Sequence, residues 1–455
     1  MTTVPEVTAK IARFATGTGF DDLPPAVVEK VPACVLDWIG VTLGGAKHPI
    51  SEILLGFVQE LGGKEQATIL GKGIRSSVTH AALVNGAMSH VLDYDDVHAG
   101  TIGHPSVVIA AAVVPFGEYL GASGKQITVA YAVGFDVMAR LGKGVRPHHY
   151  EKGWHATATL GRFGAAAGAG RLLELDEEQM VHALGIAGTQ SSGFRQVFGS
   201  MGKAFHAGAA AADGVQAVLL AKRGFTCSKE ILEGKHGFFE LMADSMYDPT
   251  PILEQLGKRF EILEVTFKPH AACGLTHSTI DAIIALRQEH DLVAEEIDRI
   301  TCEVVPLALD VVGKTNPKTG LEGKFSLRYC AALALLEGRA TEAFFEDSLV
   351  TDPNIRVLME KVEVKANSDL KYEDAPPALV TIYTNKKGAL RKRVDQPKGR
   401  PKNPLSAQEL EGKFRDLAAG TLSPDVIGEI VATVYEMEKI GDIGKLMALC
   451  RATRR

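Results

Sequence analysis

Residues 90–106 read HVLDYDDVHAGTIGHPS, a short run that crowds together three acids and three histidines. The lead-in, SSVTHAALVNGAMSHVL over 76–92, keeps small and apolar residues at helical spacing, so Asp93 falls one turn after His90 on a face that Ala82, Ala87 and Val91 partly bury. A carboxylate near such a helix end is either stabilised by nearby donors or driven toward its neutral form by desolvation and by the like charges of Asp95 and Asp96. The structural alternative is that DYDD caps a helix and Gly103-His104-Pro105 is a turn. A buried cluster of acids is costly unless it serves something, which favours the chemical reading.

Working outward, helical periodicity covers 5–16, 25–44, 51–61, 76–94, 106–121, 124–142, 155–173, 177–189 and 206–223. Ser123 and Asp176 stand where N-caps belong. Near residue 259 the pattern changes: RFEILEVTF and IDRITCEVVPL alternate like strands, and LVTIYTNKKGALRKRVD over 379–395 reads as a hairpin turning near Lys387-Gly388. Helices at 275–289 and 322–337 interleave with them. After the linker QPKGRPKNP, 406–418 and 423–449 are helical again and are expected to pack onto the first domain. The expected fold is therefore mostly α, with a discontinuous all-α helical domain (1–263 and 402–455) and an inserted α+β domain (264–401).

Four further runs combine polar groups with small neighbours. In GWHATATLGRFGAAAGAG, His155 opens a helix whose first backbone N–H groups make a seat for a carboxylate, with a cap or core histidine as the alternative. In GSMGKAFHAGAAAADG, Lys203 leads into an alanine-rich helix with His206 in its first turn; a solvated lysine is the plainer reading. GxxGK is too short for a phosphate loop and lacks the Ser/Thr that would hold magnesium. TFKPHAACGLTH sets Lys268, His270, Cys273 and His277 across a proline turn where the domains join and a cleft is expected. EGKFSLRYCAALALLEG starts a helix at Lys324, and Tyr329 there faces either a cleft or the domain core.

A net charge of −6 without a basic domain argues against nucleic acid as a partner. The eight Lys and Arg residues from Lys386 to Lys402 read as a solvated hairpin edge and linker. Six cysteines without a CxxC pair fit reduced thiols better than disulfides or zinc. The N-terminus lacks the pattern of a secretory signal, and the apolar run from Val107 to Phe116 is too short to span a bilayer. A soluble, cytoplasmic protein with no membrane partner is expected.

DYDD followed by GHPS, with the four later runs in the same order and at similar spacing over nearly the whole chain, resembles the MmgE/PrpD family. Its known activities include 2-methylcitrate dehydration, cis-aconitate decarboxylation and iminodisuccinate epimerisation. The resemblance implies a discontinuous helical domain with an α+β lid, a homodimer, and a small polycarboxylate substrate. Asp93, His104, His155, Lys203, Lys268 and Tyr329 match family positions implicated in binding or catalysis. We accordingly nominate Asp93, His104, His155 and Tyr329 as catalytic, and Lys203, Lys268, His277 and Cys273 as substrate-binding, with no metal and no cofactor. Val97 and Cys273 depart from some decarboxylating members, which carry Thr and His there.

Lysines and histidines around a carboxyl group suit a small polycarboxylate, since cations stabilise the enediolate formed when a proton is removed beside a carboxylate. Dehydration, decarboxylation and epimerisation can all pass through such a species. The two departures place 2-methylcitrate dehydratase-like water elimination first, with decarboxylation and epimerisation as joint alternatives. Two minor readings remain: a metal-dependent hydrolase using His90, Asp93, Asp95, Asp96, His98 and His104, which the nearby lysines oppose, and a non-catalytic binding protein.

Overall fold

A computed structural model describes residues 6–372 and 375–451, and the chain divides into two compact units. Unit 1 gathers Met1–Val91, Asp95–Val265 and Ala407–Arg455; unit 2 gathers Leu92–Tyr94 and Thr266–Ser406.

Unit 1 is helical. Its long members are Pro25–Gly45, Gly124–Val145 and Met201–Ala221, accompanied by Val78–His90, Ser106–Leu120, Gly161–Leu172 and Glu177–Thr189. Ser123 with Gln126 and Asp176 with Gln179 form reciprocal capping boxes, satisfying backbone donors at two helix starts. Helices that are apolar all round belong in a core, and Ser106 to Gly117 is buried without a break.

Glycine lets these helices approach closely. A Cβ on Gly208 would lie 2.0 Å from the Leu83 carbonyl oxygen, and one on Gly86 would lie 2.7 Å from Gly208 Cα. The crossing of Val78–His90 with Met201–Ala221 thus sits within about one turn of both His90 and His206. Gly134 and Gly164 make a second such contact, each barred from a side chain by the other's carbonyl at 2.7 Å. Met201–Ala221 is long and apolar enough to cross a membrane by length and composition, and more than half of that span is buried in unit 1. The helix Ala407–Ala418, the first after unit 2, returns to unit 1 by packing Phe414 on Gly40 and pairing Lys413 with Asp37 at 2.7 Å.

Two readings are corrected here. The helix expected to run to residue 94 ends at His90, and Asp93 adopts a left-handed backbone at φ 51°. RFEILEVTF is not a strand: Glu261–Glu264 is a 3-10 turn and only Val265–Thr266 is extended. The cause is Glu261, whose buried carboxylate is held by Lys143 at 3.0 Å and Arg259 at 2.7 Å and draws the chain out of alternation. A small antiparallel hairpin, Ala67–Ile69 with Ile74–Ser76, was not anticipated.

Unit 2 carries a four-stranded mixed sheet in the order Val362–Ala366, Ile297–Val304, Ala378–Thr384, Gly388–Val394, with the first pair parallel and the others antiparallel. The expected hairpin is the last pair, and Gly388 turns it at φ 71°. Helices His277–His290 and Leu327–Glu337 pack together, the first also against the hairpin strands. Val304, Val305, Ala308, Val312, Phe325 and Leu327 form part of the unit's core.

The end of the basic stretch differs from the solvated linker expected. The strand Gly388–Val394 is exposed or half-exposed, but Pro397, Gly399 and Arg400 are buried. Gly399, at φ 90°, bonds its carbonyl to the Phe267 N–H at 3.1 Å, and a Cβ there would lie 1.9 Å from the Phe267 oxygen. The linker is therefore built into unit 2 beside Lys268.

Candidate active site

In unit 1 the decisive cluster is made of imidazoles around one acid. Asp95 Oδ2 lies 2.8 Å from His104 Nδ1 and 3.0 Å from His90 Nδ1. His90 is edge-on to His104, with ring centres 4.6 Å apart, and lies nearly parallel to His155 at 5.8 Å. His155 Nδ1 in turn meets His206 Nδ1 at 3.1 Å, and the ammonium of Lys203 stands over the Phe198 ring that abuts His155. His155 sits at the N-cap position of the short helix Ala156–Thr159, as its sequence implies, but its side chain makes no capping bond.

Burial governs the charges. It pushes the His90 pKa down to about 4, with Asp95 opposing and Lys203 reinforcing the shift. His155 is driven well below the ordinary histidine value by burial, then by His90 and Lys203. Burial raises Asp95, but the two imidazoles on its oxygen outweigh that and hold it well below the usual carboxylate range. At neutral pH the cluster is thus an ionised Asp95 among neutral His90 and His155.

The loop that delivers His104 is tightly anchored. His98 Nδ1 meets Thr101 Oγ1 at 2.8 Å, the His98 N–H donates to the Gly103 carbonyl at 3.0 Å, and the His104 N–H donates to Thr157 Oγ1 at 3.1 Å. Ile102 is left-handed at φ 53°, which a β-branched residue adopts only under constraint. Asp96 turns away and accepts from the Ser106 N–H at 3.1 Å, its other oxygen bonding the Ser106 hydroxyl.

In unit 2 two buried lysines hold the three-residue visit of the chain. Lys268 Nζ donates to the Asp93 carbonyl at 2.7 Å and lies 3.3 Å from Asp93 Oδ1. Lys324 Nζ donates to the Leu92 carbonyl and pairs with Glu342, whose carboxyl is raised by burial against the pull of Lys324. Around them His270 Nε2 meets Asp281 at 2.9 Å, and His277 donates from Nε2 to the Ala272 carbonyl at 3.1 Å. Burial, then His270, Lys268 and Arg400, keep His277 neutral.

The eight nominated residues therefore fall into two sets. His104, His155 and Lys203 join the histidine cluster of unit 1; Asp93, Lys268, Cys273 and His277 lie in unit 2 with the lysine cluster. Tyr329 differs from expectation, because its buried ring packs on Phe345 and its hydroxyl donates to the Phe344 carbonyl at 2.5 Å. Burial also pushes its pKa further up, so this is the geometry of a core tyrosine rather than of a proton-transfer group. Cys273 is half-buried, lies against the unit's apolar core and donates its N–H to the Lys324 carbonyl.

The six-ligand metal reading dissolves. Asp96 is taken by Ser106, His98 by Thr101 and Glu261, and Asp93 by Lys268, leaving only His90, Asp95 and His104 with ligand atoms within 4.8 Å of one another. Asp281, Glu342 and Arg400 are site-forming residues that the sequence did not reveal. Glu342 reaches Lys324 across 18 positions, and Arg400 sits in what reads as a linker, so neither has a local signal.

Buried imidazoles around an acid in the helical unit, and buried lysines beside an acid in the α+β unit, are groups suited to acid–base chemistry. The chain belongs to the MmgE/PrpD family: the family's N-terminal domain matches residues 9–249 and its C-terminal domain 270–436. The chain is 26% identical to a cis-aconitate decarboxylase of Aspergillus terreus, over 97% of this chain and 95% of that protein. It is 28% identical to the cis-aconitate decarboxylase of Homo sapiens, over 98% and 94%. A 2-methylcitrate dehydratase of Salmonella typhimurium is 24% identical over 77% and 74%. The order of reactions drawn from Val97 and Cys273 is thereby reversed, since similarity to the decarboxylases is both higher and longer.

Proposed function

We propose that this protein is a lyase that removes CO2 from a small unsaturated tricarboxylate of the cis-aconitate type. The observation that carries the reading is the near full-length similarity to cis-aconitate decarboxylases, set beside the shorter match to 2-methylcitrate dehydratases. The site chemistry supports it. Loss of CO2 from a carboxymethyl group next to a C=C bond breaks one C–C bond and leaves its electron pair spread over an allyl system and a remaining carboxylate. A proton must then be added to carbon.

Lys203, beside the histidine cluster of unit 1, is a cation that suits the substrate carboxylates and the developing dienolate charge. A histidine of the unit 1 cluster carries the proton to carbon: His104 has some opening to solvent, its side chain 14% exposed against 0% for His90, so it can take up a proton at Nε2 and pass it on. Elimination of water from a 2-methylcitrate-like acid is the second reading, favoured by Val97 and by Cys273. Purified protein in D2O with cis-aconitate, citrate, 2-methylcitrate and iminodisuccinate, followed by proton NMR, separates these readings. CO2 release from cis-aconitate with one solvent deuteron on carbon is expected. Water loss from 2-methylcitrate alone would replace it with the second reading.

A further inference from the structure

We infer that Asp95 is the positioning residue of the histidine cluster: its single oxygen Oδ2 fixes both His90 and His104 as Nδ1–H tautomers, so that neutral His104 carries its lone pair on Nε2. This deepens the proposed function and rests on it for the rate measurements alone.

Two ring nitrogens converge on one oxygen, His104 Nδ1 at 2.8 Å and His90 Nδ1 at 3.0 Å. A carboxylate oxygen attracts an N–H and repels a nitrogen lone pair, and in a buried site that difference is weakly screened. Each Nδ1 therefore carries a proton, and the other nitrogen of a neutral ring is the base. The second oxygen of Asp95, Oδ1, is buried with no hydrogen-bond partner among the described residues, so no other donor competes for the acid's orientation.

His90 is the fixed member of the pair. Its side chain is wholly buried, it lies flat on His155 and edge-on to His104, and its Nε2 has no hydrogen-bond partner among the described residues. Lys203 and the ring of His155 face it, which disfavours a positive charge on His90 and leaves it a neutral donor to the Asp95 anion. His104 differs by its partial opening and by a backbone pinned to Thr157 at 3.1 Å. An imidazole with one nitrogen bonded to a buried carboxylate and the ring plane held by its loop is a pre-set proton carrier.

The test uses the full-length protein and Asp95→Asn, which keeps the shape and an acceptor oxygen but removes the charge. Histidine-selective 15N NMR of the wild type should show His104 and His90 as Nδ1–H tautomers, and Asp95→Asn should shift His104 toward Nε2–H. With cis-aconitate, kcat should fall by about a hundredfold or more, with KM changed less than about threefold. The limb of the pH–kcat profile that reports His104 should move toward acid, because the anion that favoured the imidazolium is gone. A wild-type His104 in the Nε2–H form overturns the inference, and this reading stands even if the variant does not fold. So does a variant that keeps more than about half the rate, or one that loses rate equally at every pH with its tautomers unchanged. Stoichiometric metal in the wild type that is absent from the variant would make Asp95 a ligand and also overturn it. If cis-aconitate is not decarboxylated but the Nδ1–H tautomers are seen, the proposed function fails and the inference about Asp95 holds.

Discussion

Asp95 and Asp96 are neighbours in sequence and are driven in opposite directions. Asp95 gains two imidazole donors and stays ionised, whereas Asp96 is pushed up to about 8, first by burial and also by the charges of Asp37 and Asp95, against the hydrogen bonds from Ser106. Between its ordinary value of 3.8 and about 8, the folded protein keeps a proton that the unfolded chain has released. That contribution to stability is full below about pH 4 and is lost as pH rises toward about 8, with a slope of up to about 1.4 kcal/mol per pH unit. Asp96→Asn should therefore melt at a temperature that rises relative to the wild type as pH goes from 5 to 8; a constant difference across that range would mean Asp96 is already ionised in the fold. The chemical density of DYDD was legible in the sequence. Which acid would be ionised was not, since that depends on Ser106 and His104 folding back from the far side of the loop.

At the scale of elements, the helical half was legible because its periodicity and caps are local, while the strand misread at 259–267 and the linker misread at 396–404 were decided by distant partners, Lys143 for Glu261 and Phe267 for Gly399. The glycine crossings belong with the second kind. Sequence shows a small-residue helix but not which glycine meets which. Gly208 on Leu83 is the tightest contact near the histidine cluster, so Gly208→Ala must push apart the helices that carry His90 and His206. We expect a loss of stability of about 1–3 kcal/mol, as for other overpacked cores, together with a fall in kcat larger than the unfolded fraction explains. Gly56→Ala is the contrast. It lies in the helix Pro49–Leu61 with nothing within 4 Å of the added methyl, and should stabilise by about 0.5–1 kcal/mol. Equal effects of the two substitutions in chemical denaturation would show that the Gly86–Gly208 crossing does not constrain the helices.

For the whole molecule, the composition of the two halves and the order of their motifs were readable, but the division of the DYDD run was not. Residues 92–94 fold with unit 2 although Val91 and Asp95 on either side belong to unit 1, and the residue that holds them, Lys268, is 175 positions away from Asp93. A left-handed turn at Asp93 lets the chain enter and leave in three residues. If this partition is right, the amides of Leu92–Tyr94 share the stability of Thr266–Ser406 rather than that of their sequence neighbours. Lys268→Met tests it, because the change keeps the packing volume but removes the ammonium 3.3 Å from the buried Asp93 carboxylate, a loss of about 3–5 kcal/mol for a broken buried pair. Hydrogen exchange in the variant should speed up together at 92–94 and across the helices His277–His290 and Leu327–Glu337, and stay near wild-type in Val78–His90 and Gly124–Val145. Faster exchange that spreads instead from 92–94 into Val78–His90, leaving the helices after Thr266 protected, would return Asp93 to the helical unit and detach it from the lysine cluster.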